Sequence, residues 1–284
     1  MKILITGASG YLGSQLVRAL SADNKVIAVV RDTSITIRLV NLPVHIIRVS
    51  GSVQLEQVFD EFKPDIVINT VALYGRKGES LSSLIQANID YPSQLLSLAQ
   101  KYDAKAYIHT GTSLPDDVSA YALTKKTFVK LAAFQKFTSI RFINLELEHF
   151  YGPGDDENKF TSYVIRECLA HRQLNLTGGF QKRDFIYIGD VVSAYKTILA
   201  KLNTLDFFET VSVGSGEAPT VRNLVEMIHM YSKSKSDLVF GAVSMRKNEL
   251  MYSCADISKL TALGWAAEHS LKSGIIKTLS KEGQ

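Results

Sequence analysis

A glycine-rich turn close to the first residue constrains this chain more than any other feature. Gly7-Ala8-Ser9-Gly10-Tyr11-Leu12-Gly13 follows directly on the apolar run Lys2-Ile3-Leu4-Ile5-Thr6. It opens a stretch whose Leu12, Leu16, Val17 and Leu20 recur at helical spacing. Glycines at these positions permit a tight turn and leave the backbone open to close approach by a ligand. The same alternation continues downstream. Strand-like runs at 25–30, 44–49, 65–70, 106–110 and 139–145 are separated by helical patterns at 53–59, 81–101 and 120–136. Strands that are apolar almost throughout and bounded by helices predict an α/β fold, a doubly wound parallel sheet covered on both faces. The alternation loosens after Tyr151-Gly152-Pro153-Gly154. The chain is therefore expected to divide into a first domain over 1–150 and a smaller α/β region over 151–284, with sheet elements able to recur within 180–215.

Composition narrows the class. With 284 residues, 46% hydrophobic and 21% charged, the chain can bury a sizeable core and is not of the disordered type. The balance of 32 basic and 28 acidic residues leaves +4. No cluster of basic residues interleaves with aromatics, so a nucleic-acid partner is not indicated. No apolar run reaches the roughly 18 residues of a membrane span, and the opening run is too short for a signal-peptide core. Two distant cysteines, Cys168 and Cys254, read as small apolar residues in a reducing compartment, with the cytoplasm the expected location. The six histidines show no paired ligand spacing, so no metal site is expected.

The chemistry follows from where the turns fall. A glycine turn between a first strand and a first helix is where a dinucleotide pyrophosphate sits, on the helix N-terminus. That assigns Gly7, Ser9, Gly10, Tyr11, Leu12 and Gly13 to a cofactor. The second strand ends Val29-Val30-Arg31-Asp32. Val30 stands where an acid would bind a ribose 2′-hydroxyl, and Arg31 can clamp a 2′-phosphate, which favours NADP over NAD. An arginine that merely solvates the loop beside Asp32 is the competing reading. Asn69-Thr70-Val71-Ala72 ends the fourth strand, so Thr70 and Ala72 would line the nicotinamide-ribose side. Tyr121-Ala122-Leu123-Thr124-Lys125 opens a helix, and the i,i+4 spacing stacks Tyr121 and Lys125 on one face. An ammonium beside the phenol would lower its pKa towards the range of a general acid or base. Thr112, after the fifth strand, is the hydroxyl expected to hold a substrate carbonyl, with Ser113 as the runner-up. Asn88, in the long helix before it, is more readily a backbone tie than a chemical group.

These residues together resemble the extended short-chain dehydrogenase/reductases of the NAD-dependent epimerase/dehydratase family, over nearly the whole length. Phe150-Tyr151-Gly152-Pro153, the segment Gly179 to Asp190 with its Arg183-Asp184-Phe185, and Val213-Gly214-Ser215-Gly216-Glu217 carry the same resemblance. It implies that Thr112, Tyr121 and Lys125 are catalytic, that Ser52 and Asn88 add to the cofactor site, and that Arg183 and Arg246 hold a nucleotide-sugar diphosphate. Departures are informative. Ser113-Leu114 replace the Asp-Glu that follows the threonine in sugar dehydratases, which argues against dehydration. Only eight residues separate Thr112 from Tyr121. His149 and Ser52 replace residues usual in the family. Longer strings are similar to the branch of 4-ketoreductases that complete CDP-3,6-dideoxyhexoses. They run over 72–76, 111–115, 147–152, 159–162 and 248–256, and bring Tyr74, His149 and Lys159 into the expected substrate set.

The resemblance implies NADPH-dependent reduction of a CDP-linked 4-keto-deoxysugar, CDP-4-keto-3,6-dideoxyglucose, to CDP-paratose or CDP-abequose for O-antigen polysaccharide. It also implies a homodimer. A nucleotide-sugar 4-epimerase holding NAD, and a non-catalytic NADP-binding regulator on the same fold, remain as alternatives.

Overall fold

The structure, a computed structural model, describes residues 1–246 and 249–283; Asn248 of the 248–256 string lies outside the described residues. In chain order the elements are β1 (Lys2–Thr6), α1 (Tyr11–Leu20), β2 (Lys25–Arg31), β3 (His45–Val49), α2 (Ser52–Phe62), β4 (Ile66–Asn69), α3 (Leu81–Ile85), α4 (Tyr91–Lys101), β5 (Ala106–Thr112) and α5 (Ala120–Ala133). They continue with β6 (Arg141–Leu147), β7 (His149–Tyr151), α6 (Phe160–Leu169), β8 (Leu174–Leu176), β9 (Lys182–Arg183), β10 (Phe185–Tyr187), α7 (Ile188–Ala200), β11 (Phe208–Val213), α8 (Val221–Tyr231), β12 (Leu238–Phe240), β13 (Tyr252–Ser253), α9 (Ser258–Ala262) and α10 (Leu271–Glu282). The helical pattern over 81–101 is interrupted by a π turn, Gln86–Asp90, between α3 and α4.

The chain forms two compact units, 1–146 with 198–211, and 147–197 with 212–284. The first is built on a seven-stranded sheet in the order β11-β6-β5-β4-β1-β2-β3. Pairs β1–β2, β1–β4, β2–β3 and β4–β5 are parallel. The apolar runs read from the sequence are fully covered: Ile3, Leu4, Ile5, Ile27, Ala28, Ile66, Val67 and Ile68 have no exposed surface. Strand order reverses at β1–β4, and in an open α/β sheet that switch point opens the crevice where ligands bind. The ends of three strands are tied there. Thr6 donates to Asn69 Oδ1 at 2.8 Å, Thr70 Oγ1 donates to Thr6 O at 2.8 Å, and Asn69 Nδ2 lies 3.4 Å from His109 Nδ1. Under β5 and β6 the core is aromatic, with Tyr107 stacked on Phe142 at 5.6 Å and Phe142 on Phe208 at 5.3 Å.

The second unit carries three short parallel pairs, β10–β7, β12–β8 and β13–β9. The expected strand at 183–188 is two strands, β9 and β10, separated by Asp184. That residue has no exposed surface, and its carboxylate accepts from Ser215 N and Oγ, both at 2.7 Å, and from Gly216 N at 3.0 Å. Among the described residues no helix is long and apolar enough to cross a membrane.

Candidate active site

The glycine turn is built for close approach. A Cβ on Gly13 would stand 2.2 Å from Gly7 O, so no other residue fits where α1 begins. Gly10 caps α1 without a side-chain bond, and the first turn has no acid. The helix N-terminus thus presents N–H groups and a positive dipole end, a site suited to phosphate. Tyr11 and Leu12 are buried behind it, while Ser9 is half-buried and Gly10 exposed. Arg38, not expected from the sequence, places its guanidinium 5.8 Å from the Tyr11 ring centroid. Arg31 is exposed at the end of β2. Arg48 Nη1 donates to the carbonyls of Asp32 at 2.6 Å and Ser34 at 3.1 Å, which shapes the loop that carries Arg31. Ser52 is exposed at the start of α2, and Ala72 is half-buried in the loop after β4.

Tyr121 and Lys125 lie in the first turns of α5, which begins where Ser119 accepts a hydrogen bond from Ala122 N at 3.2 Å. Thr112, at the end of β5, is buried and hydrogen-bonds the Tyr121 side chain; Ser113 beside it is half-buried. The Tyr74 ring packs on that of Tyr121 at 4.7 Å between centroids. Burial pushes the Tyr121 phenol well above its ordinary value, and Tyr74 adds to the rise. The Thr112 hydrogen bond and the Arg76 cation act the other way. The sequence expectation of a phenol lowered by its lysine is not what burial produces. Lys125 is itself 2% exposed, and desolvation brings its ammonium down to about 7. Among the described residues that ammonium has no hydrogen-bond or ion-pair partner, so it is placed to take ligand hydroxyls.

Asn88 is held in the π turn. Its Oδ1 accepts from Leu73 N at 3.0 Å, and its Nδ2 donates to Leu73 O at 2.9 Å and to Thr124 Oγ1 at 3.0 Å. The backbone tie expected from the sequence is present, and it joins the loop after β4 to α5.

The residues expected to meet substrate from 149 onward lie in the second unit, and His149, Lys159 and Arg183 have side-chain partners there. His149 Nδ1 is 3.5 Å from Glu148 Oε2, a carboxylate that also accepts from Ser253 Oγ. Lys159 pairs with Asp155 at 3.1 Å, and its ammonium lies 3.7 Å from the Phe150 ring centroid. Arg183 is buried, bonded to Glu249 at 2.9 Å, to Lys182 O at 2.8 Å and to Leu250 O. Arg246 is exposed. Among the described residues, Asp190, Glu268 and His269 are near enough to share an ion. Asp190, however, already accepts from Glu268 N, His269 N and, at 3.0 Å, His269 Nδ1.

A family model, described as the NAD dependent epimerase/dehydratase family, matches residues 3–214. The chain belongs to this family. Among curated members, CDP-abequose synthase of Salmonella typhimurium is 32% identical over 98% of this chain and 97% of its own length. CDP-abequose synthase of Yersinia pseudotuberculosis is 26% identical over 88% of this chain and 91% of its own. The fold of the epimerase/dehydratase family is also found in UDP-glucose 4-epimerase of Thermotoga maritima, solved with UDP-glucose. That structure has a TM-score of 0.88 and 22% identity, over 99% of this chain and 98% of that one.

Proposed function

We propose that this member of the epimerase/dehydratase family is a nucleotide-sugar enzyme, an NADPH-dependent 4-ketoreductase of CDP-4-keto-3,6-dideoxyglucose that forms CDP-abequose or CDP-paratose. The observation that carries the reading is Thr112 beside Tyr121 at the head of α5, whose Lys125 is buried with no hydrogen-bond or ion-pair partner among the described residues. Near-full-length similarity to CDP-abequose synthases supports the substrate class. Ser113-Leu114, in place of an acid pair, supports reduction over elimination.

NADPH, when bound, supplies the hydride for C4. The Thr112 and Tyr121 hydroxyls hydrogen-bond the C4 carbonyl oxygen and polarise it where negative charge develops. A phenol held protonated by burial is the form that a reduction needs, because Tyr121 gives its proton to that oxygen. Lys125 takes the cofactor ribose hydroxyls. The N–H groups after Gly10 take the pyrophosphate, and Arg31 takes the 2′-phosphate. Ser52, Thr70, Ala72 and Asn88 complete the cofactor side. Tyr74, Ser113, His149 and Lys159 are assigned to the sugar nucleotide, with Arg183 and Arg246 on its diphosphate. On this reading the enzyme works in the cytoplasm, in O-antigen synthesis.

The test is to follow NADPH oxidation with a panel of CDP-, dTDP- and UDP-linked 4-keto sugars and to resolve the product at C4 by NMR. Rapid turnover of the CDP substrate alone is expected; none with any 4-keto sugar overturns the reading. In the same assay Arg31→Asp should raise the KM for NADPH about 10- to 100-fold and leave that for NADH nearly unchanged. The chain is also proposed to form a homodimer through the helices flanking the Tyr121–Lys125 segment; Leu123 and Leu131 of α5 and Phe134 just after it are 50%, 52% and 88% exposed. A monomer in sedimentation velocity would exclude it.

A further inference from the structure

The geometry points to Arg48, on β3, as a second guanidinium on the 2′-phosphate of the dinucleotide, so that the preference for NADPH rests on two strands and not on Arg31 alone. The inference deepens the NADPH reading and depends on it.

The end of β2 is where an acid would take a ribose 2′-hydroxyl, and Val30 stands there. β2 and β3 pair in parallel, with Val30 beside Arg48 and Arg31 beside Val49. Partners in register share a face of the sheet, and successive residues alternate between faces. Val29 and Val49, on one face, pack in the core with Leu55 and Phe59 of α2. Arg48 therefore rises with Val30 from the other face, the one on which the missing acid would stand.

Its guanidinium is held in place. Nη1 donates to the carbonyl oxygens of Asp32 at 2.6 Å and Ser34 at 3.1 Å, with Arg31 O at 3.3 Å. These contacts carry the group past the last residue of β2, against the turn that Ser34 N closes on Arg31 O at 2.9 Å. Bare carbonyl oxygens beside a phosphate would repel it, and Arg48 covers them with positive charge.

A guanidinium has five N–H donors, of which Nη1 carries two. The Nε and Nη2 donors of Arg48 have no hydrogen-bond or ion-pair partner among the described residues, and the side chain is exposed. That free edge is the kind that grips a phosphate bidentately. Arg31, exposed at the end of β2, comes from the opposite face. The two guanidinia thus close on the 2′-phosphate from the two sides of the sheet edge. Val30 sets no charge against them, and Asp32, the acid of the turn, is exposed and screened by water.

Binding of 2′,5′-ADP and of 5′-AMP isolates the contribution of the 2′-phosphate, and calorimetry reads it without turnover. The parent should prefer 2′,5′-ADP by about 100-fold or more. Arg48→Met keeps the aliphatic stem and removes the guanidinium. It should cut that preference about tenfold or more while 5′-AMP binds within about twofold of the parent. Equal loss for both ligands would mean that Arg48 only supports the loop, and an unchanged preference that it has no task; either overturns the inference. Arg31→Met provides the background that separates contact from positioning. There, Arg48→Met should weaken 2′,5′-ADP by a further factor of about three or more. No further loss would mean that Arg48 acts only through Arg31, which overturns the direct contact. A parent that binds 2′,5′-ADP no better than 5′-AMP removes the NADPH reading and this inference with it. A discriminating parent with an unaffected Arg48→Met overturns the Arg48 assignment alone.

Discussion

Lys125 is where the physics of a single residue says most. Buried without a partner among the described residues, its ammonium is brought down to about 7 by desolvation. An anionic dinucleotide laid against it would favour the charged form and raise that value. Binding above pH 7 must then draw a proton from solution. Calorimetry of NADPH binding at pH 8 in two buffers of different ionisation enthalpy should show uptake of a large fraction of one proton. The uptake should vanish in Lys125→Met; equal uptake in both would place the proton elsewhere. Tyr121 and Lys125 were legible in the sequence because both stand on one helix face, a short-range property. What opposes their charges was not, since burial is set by the whole unit. The Arg183 partner was hidden for the same kind of reason: Glu249 lies 66 residues away along the chain. Nothing local to either residue marks the pair.

Among the elements, the alternation of apolar strands and amphipathic helices made the parallel sheet readable, because each period reports which face is covered. The π turn at Gln86–Asp90 left no such trace. Its extra residue per turn serves a distant demand, the presentation of Asn88 to the Leu73 backbone, and the apolar spacing around it still reads as ordinary helix. Asn88→Ala removes three hydrogen bonds and leaves partly buried backbone groups of Leu73 unsatisfied. The expected loss is about 2–4 kcal/mol, seen as a lower urea midpoint at unchanged m-value. Because the same bonds hold the loop that carries Tyr74, kcat should fall as well. A loss below about 0.5 kcal/mol would mean that water replaces the asparagine at little cost.

At the scale of the whole molecule, stability depends on pH through carboxylates folded into places that disfavour their charge. Asp155 is the strongest case with a resolved value. Its side chain is 1% exposed; Oδ1 accepts from Asp156 N at 2.7 Å and pairs with Lys159 at 3.1 Å, while Oδ2 is buried without a hydrogen-bond partner among the described residues. Desolvation outweighs the lysine and raises the group from 3.8 to about 6. Between those values the folded chain binds more protons than the unfolded one, so stability falls as pH rises through the window. The contribution is on the order of 3 kcal/mol, complete below pH 4 and gone by about pH 7. Nothing local marks it, because Asp155-Asp156-Glu157 reads as a solvated turn. Asp155→Asn has the same shape and no titration, so its stability should lack this slope whatever constant offset the lost lysine pair imposes. Urea midpoints of parent and variant at pH 4, 5, 6 and 7 would measure it. The difference should move towards the variant by roughly 3 kcal/mol across that range. A difference that stays flat would mean that water reaches Oδ2 and that Asp155 ionises as an ordinary surface carboxylate.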